Sequence, residues 1–367
     1  MRGDVLTPAD DAYEAARIIY NAAIDRRPAI IARCVDAADA IAAVRFAREC
    51  DLLLAVRGGG HSGSGLCTCD DGLVVDLSRM RSVRVDPQCQ TVRAEGGCLL
   101  GDVDHATHAF GLAVPSGFVS TTGVGGLTLG GGIGYLTRRY GLTIDNLLSA
   151  DVVLADGSFV RASADENPDL FWGLRGGGGN FGVVTSFLFQ AHPVRTVYGG
   201  PIFWPLSDGA VVLRRWRDFI LKAPEDLNGW FGFATIPAAA PFPVRYHHEK
   251  MCVMAWCYTG DLSGAESALR AARSFAPPAM DFCGPIPFPA LQSMFDAFHP
   301  PGLHWYWKAD FFRDLPDDAV DLHLRYAKTI PNAHSTMHLY PVNGAAHRAG
   351  RLETAWSFRD ANFAEVI

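Results

Sequence analysis

Two kinds of hydrophobic pattern alternate along this chain. Short apolar runs read as buried strands at 29–32, 52–56, 148–155 and 183–189, with shorter β segments at 73–77, 81–85 and 91–94. Between them lie stretches with helical spacing. Residues 9–24 put Tyr13, Ala16, Tyr20 and Ala23 on one face. Asp36 reads as the N-cap of a helix carrying Ile41, Val44 and Ala47 inward. A helix at 99–110 aligns Leu99, Val103, Ala106 and Phe110 and closes at Gly111. Asn167-Pro168 starts a short helix, with proline at its first position. Beyond residue 195 the rhythm changes. Strand-like runs near 229–235, 251–258, 304–312 and 334–340 alternate with helical stretches near 207–221, 261–274 and 315–328. The order predicts an α+β chain in two domains, 1–195 and 196–367.

Composition narrows the class. With 49% hydrophobic and 19% charged residues, the 367-residue chain can bury a large core. The formal net charge of -7 argues against a nucleic-acid binder. No run of eighteen apolar residues offers a membrane span, and the first residues lack the apolar segment of a signal peptide, so a cytoplasmic protein is expected. Nine cysteines, an odd number scattered over a long chain, are not a disulfide framework, and Cys67-Thr68-Cys69 reads as small buried thiols.

The 38 glycines carry more information because they cluster, at 58–63, 123–134 and 176–179. Gly58-Gly59-Gly60-His61-Ser62-Gly63 matches the dinucleotide signature G-x-G-x-x-G and follows a strand, but no helical period follows it. A second match at 177–182 leads into a strand, so a Rossmann fold is not indicated. Glycine lets a backbone approach a ligand closely and presents unhindered N–H donors. Three such loops between strands suit a long anionic ligand, a dinucleotide, better than a single phosphate. His61 lies inside the first loop, where a neutral imidazole nitrogen is a nucleophile toward an electrophilic carbon such as one on a flavin ring.

Arg57-Gly58-Gly59-Gly60-His61-Ser62, Asp76-Leu77-Ser78, the stretch from Pro115 through Leu142, Asp145-Asn146, the run 165–172 and Arg175 through Thr185 together resemble the FAD-linked oxidases of the vanillyl-alcohol oxidase type, with a PCMH-type FAD-binding domain. The bacterial berberine-bridge-enzyme-like branch is the most similar. The resemblance is dense in the first half and weaker beyond it. It implies a two-part FAD-binding domain, and a substrate domain whose antiparallel sheet, backed by helices, lies over the flavin. It implies FAD attached covalently through His61. It assigns cofactor contacts to Arg57, Gly58, Gly59, Gly60, Ser62, Gly63, Pro115, Gly117, Thr121, Gly123, Gly125, Gly126 and Val184. Val119 stands where some relatives carry a second tethering cysteine, so one attachment is expected.

The implied reaction removes a hydride from a C–H bond beside an alcohol oxygen or amine nitrogen of a small molecule, with dioxygen as electron acceptor and no nucleic-acid or membrane partner. Family members extend further, to a strand that often carries the catalytic tyrosine, which is expected to be missing here. In its place, the alternation of 335–340 sets Thr336, His338 and Tyr340 on one face and Met337 and Leu339 on the other. Thr336 and His338 are the expected substrate contacts and Tyr340 the expected catalytic base, if its pKa is lowered from near 10. Two other readings stand beside this one: a noncovalent FAD reductase fed by NADPH, which has no need of a tether, and a catalytically silent FAD-binding scaffold.

Overall fold

The computed structural model describes all residues from Met1 to Ile367. The first apolar runs form a four-stranded sheet from Asp4–Leu6, Ile30–Arg33, Leu73–Asp76 and Leu54–Arg57, in that spatial order. Its last three strands are parallel. The helix Ala37–Glu49 makes the crossover, and the Asp36 side chain caps it by accepting from the Asp39 N–H at 3.0 Å. A second, wholly antiparallel sheet comprises Val83–Asp86, Thr91–Glu95, Val183–Gln190, Leu147–Val153 and Phe159–Ser163. Ala40, Ala43, Val44 and Ala47 of the crossover helix share one core with Val75 of the first sheet and Val153 and Val183 of the second. Small residues on that helix let the two sheets approach closely.

Residues 196–367 build a third, eight-stranded sheet, with neighbouring strands antiparallel. One face is covered by the helices Gly209–Ile220, Ala265–Arg273 and Asp317–Ala327. Val212, Leu213, Trp216 and Ile220 recur at helical spacing and are fully buried there. The Trp216 indole donates to the Gly229 carbonyl at 2.8 Å. Gly229 is required because any Cβ there would strike the ring of Trp256. The opposite face packs on the first half, where Phe203, Trp230, Val253 and Ala255 meet Ala113, Tyr135 and Leu136.

Polar ties cross the same boundary. Arg138, buried in the first half, donates to Asn343 at 2.8 Å and to the carbonyls of Ala223 at 2.7 Å, Pro224 at 2.9 Å and Leu227. Arg359 makes a bidentate ion pair with Asp145, at 2.6 and 2.8 Å.

Most predicted elements form within one or two residues of their expected ends. Two are much shorter. The helix expected at 9–24 is only Tyr13–Arg17, because the Tyr20 N–H donates instead to Gly60 and the Ala22 N–H to Leu303. The strand expected from 304 begins at Ala309, because Trp305 and Trp307 are drawn onto Tyr20. One helix, Val124–Leu129, forms inside the second glycine cluster, where no helix is expected.

Candidate cofactor cleft and substrate face

The strand Leu54–Arg57 ends where Arg57 and Asp76, both buried, pair at 2.7 Å. The chain then enters the first glycine loop. Gly58 lies against the Gly96 carbonyl, and a Cβ on it would come within 2.8 Å of that oxygen. A Cβ on Gly59 would meet the Cα of Gly123 at 2.5 Å. Gly60 sits at a φ of +67°, in the left-handed region that favours glycine. These contacts press two glycine clusters together backbone to backbone.

The third cluster arrives from the far side. All three border a single cleft of about 860 Å³ between the two sheets of the first half. Of the expected cofactor residues, Gly58, Gly59, Gly60, His61, Ser62, Gly123, Gly125, Gly126 and Val184 line it. Five others do not. Arg57 is turned into its ion pair with Asp76. Gly63 lies under the Trp307 ring, which a Cβ there would meet at 2.6 Å. Pro115 and Gly117 are buried beside the cleft, Gly117 packed against Leu127, and Thr121 is exposed while its neighbour Thr122 faces in. Gly96, Ala155, Asn180 and Gly182 also line the cleft without an expected cofactor role, although Asn180 and Gly182 belong to the 175–185 run. The only signal for Gly96 is its place in the Gly96-Gly97 pair that closes a strand.

His61 stands at the cleft wall. Its ring stacks on Tyr20 at 3.8 Å, and its Nε2 is buried with no hydrogen-bond partner. Burial, assisted by His299, pulls its pKa down to about 4, so the imidazole is neutral at pH 7. A cleft of this volume, bordered by three glycine loops and apolar side chains, with an unsatisfied neutral nitrogen at its side, fits a dinucleotide bearing an electrophilic ring.

The strand Met337–Pro341 keeps the predicted alternation. Met337 and Leu339 point into the core shared with the helices. His338 and Tyr340 lie on the other face, with His338 Nδ1 2.8 Å from the Tyr340 hydroxyl. Phe118 stacks on Tyr340 at 4.6 Å, and Trp230 lies 4.8 Å from His338. Thr336 is half-buried just before the strand begins. Burial lowers the His338 pKa to about 3 and pushes the Tyr340 phenol above its usual range. This corrects one expectation. A free tyrosine base needs a lowered pKa, and these surroundings move it the other way.

Three glycine loops around one inter-sheet cleft, in a half that packs on a large antiparallel sheet backed by helices, define an FAD-binding oxidoreductase fold. Residues 28–163 match the family described as FAD binding domain. The chain is 36% identical over 305 residues to an FAD-linked oxidoreductase of Dictyostelium discoideum, covering 83% of this chain and 64% of that protein. It is 30% identical over 375 residues to an uncharacterized FAD-linked oxidoreductase of Bacillus subtilis, covering 100% and 80%. Its fold matches 6-hydroxy-D-nicotine oxidase from Arthrobacter nicotinovorans with a TM-score of 0.86 at 26% identity, over 100% of this chain and 80% of that one. The chain belongs to the FAD-linked oxidoreductases of the vanillyl-alcohol oxidase type.

Proposed function

We propose that this protein is an oxidase of small molecules, that it carries FAD covalently through His61 alone, and that it hands the electrons to dioxygen. In this reading residues 1–195 hold the cofactor and 196–367 present the donor. The observation that carries it is the His61 Nε2, buried in the cleft wall without a partner and neutral at working pH. A noncovalent reductase has no use for such a nitrogen. The scaffold reading is not favoured either, since the relatives are named oxidases and oxidoreductases.

His61 would hold the flavin by one bond from an imidazole nitrogen to a ring methyl carbon, a bond that would form with the loss of one hydrogen from each and of two electrons, which dioxygen would take up as hydrogen peroxide. Bound FAD supplies a two-electron acceptor for a hydride from the donor. The chain's own residues do the rest. The glycine loops hold the dinucleotide by backbone N–H groups. Val119 offers no thiol, so the tether is single. The Tyr340 hydroxyl donates to His338, and its lone pairs accept from a hydroxyl or amine on the donor. Phe118 and Trp230 exclude water from that pair.

The test is acid precipitation of the purified protein. The pellet keeps flavin fluorescence, and the His61→Ala pellet loses all of it. A colourless wild-type pellet overturns the tether, and flavin on a cysteine peptide overturns its being single.

A further inference from the structure

The residues that surround His61 come from parts of the chain with no glycine motif. Tyr20 is buried, and its backbone N–H donates to the Gly60 carbonyl at 3.0 Å, one residue before His61. Its hydroxyl donates to the His299 carbonyl at 3.0 Å. The next residue, Asn21, is 1% exposed and satisfied on both sides of its amide. Its Nδ2 donates to Gly63 and to Trp305, each at 2.9 Å, and its Oδ1 accepts from the Trp305 N–H at 2.9 Å. The pair Tyr20-Asn21 therefore grips the His61 loop on both flanks and ties it to the segment 299–305 of the second half. Trp307 lies nearly parallel to the imidazole on a 6.1 Å centroid separation, and it covers Gly63.

We infer that Tyr20 is the positioning residue for flavin attachment: its ring fixes the plane of the His61 imidazole and keeps it dehydrated, so that a bare nitrogen waits at the cleft wall. The inference rests on the His61 tether proposed above. Stacking at 3.8 Å leaves the ring edge free while blocking rotation about the side-chain bonds. Holding a nucleophile in one orientation is worth orders of magnitude in rate, because the ordering is complete before the partner arrives. Dehydration acts in the same direction by keeping the lone pair unprotonated. Tyr20 is stacked on the imidazole and His299 acts on it through its charge, and the Tyr20 phenol, pushed up to about 12 by burial, stays a neutral donor.

The experiment follows covalent incorporation with time after FAD is added to flavin-free protein, reading acid-stable against total bound flavin. Tyr20→Leu is expected to slow attachment by about tenfold or more while FAD still binds, and Tyr20→Phe to attach within about twofold of wild type. The wild-type rate is expected to be level from about pH 5 to 8, whereas the Tyr20→Leu rate falls below about pH 6 as the rehydrated imidazole regains its ordinary pKa. If Tyr20→Leu does not fold, Trp307→Leu, which removes the indole flanking both rings of the Tyr20–His61 stack, is expected to give the same slowing in milder form. Attachment at the wild-type rate in a folded Tyr20→Leu, or in Trp307→Leu where that variant stands in, overturns the inference. A wild-type protein without acid-stable flavin overturns the tether itself, and is distinguished because no variant is needed to see it.

Discussion

The cleft of the first half and the aromatic face of the second are built on opposite plans. The cleft is made of what is missing. Gly58, Gly59 and Gly123 stand where any side chain would collide with backbone, so the loops close on one another with no side chain between them. The face around His338 is made of what is present: Trp230, Phe118 and Tyr340 packed within 6.4 Å of one another by ring centroid. A backbone cradle suits a ligand that never changes, since its contacts do not depend on residue identity. A side-chain face suits a donor that differs between relatives, since each ring can be exchanged without disturbing the fold.

Filling the cradle breaks the first plan outright. Gly59→Val places carbon against the Gly123 backbone, which cannot yield, and is expected to abolish flavin uptake and to cost about 1–3 kcal/mol of stability or more. Flavin absorbance per chain in the purified variant measures this, and a yellow Gly59→Val protein defeats the cradle. The second plan responds more gently. Tyr340→Phe and His338→Ala are each expected to slow flavin reduction by donor by about 100-fold with flavin content unchanged. Stopped-flow reduction reads it, and wild-type rates in both variants return the strand to scaffold.

The two regions share one property, a histidine kept neutral by burial, and pH exposes it. The folded His338 titrates at about 3 rather than 6.5. As pH falls from about 6.5, the unfolded chain takes up a proton that the folded chain refuses, so stability is full near neutrality and declines toward pH 4, by on the order of 3 kcal/mol for this group. Urea titrations at pH 7 and pH 4 are expected to show a smaller difference in His338→Gln than in wild type. An equal difference removes His338 from the account. The smallest effect is expected from Val119→Cys: either no change or a second acid-stable bond, seen by peptide mapping, and never a loss of the first.

How much of this was legible follows the same division. Strands and helices whose apolar spacing serves their own sheet, such as 183–190 and 209–220, form where the pattern puts them. The glycine clusters pointed to a long ligand, and their convergence on one cleft bears out the grouping at the level of backbone. Elements failed where a distant segment competed for the same backbone. Tyr20 lies on a good helical face, yet Gly60 captures its N–H. The helix Val124–Leu129 was masked because glycine disfavours helix locally, and only packing between the sheets outweighs that cost. No pattern in the sequence links Tyr20 to His61 or Arg138 to Asn343, because such pairings are made by the fold and not by spacing.

Arg138 carries a further consequence for how the molecule comes into being. Its guanidinium stays charged at neutral pH, although burial lowers its pKa to about 10, and every protein acceptor it uses lies at least 85 residues later in the chain. While the polypeptide is emerging from the ribosome, the first half cannot close over this charge, because the carbonyls of 223–227 and the amide of Asn343 do not yet exist beside it. A chain cut near residue 195 would keep a hydrated cation where the finished protein has a dry seam. The first half thus closes over Arg138 only when the second half is there to receive it.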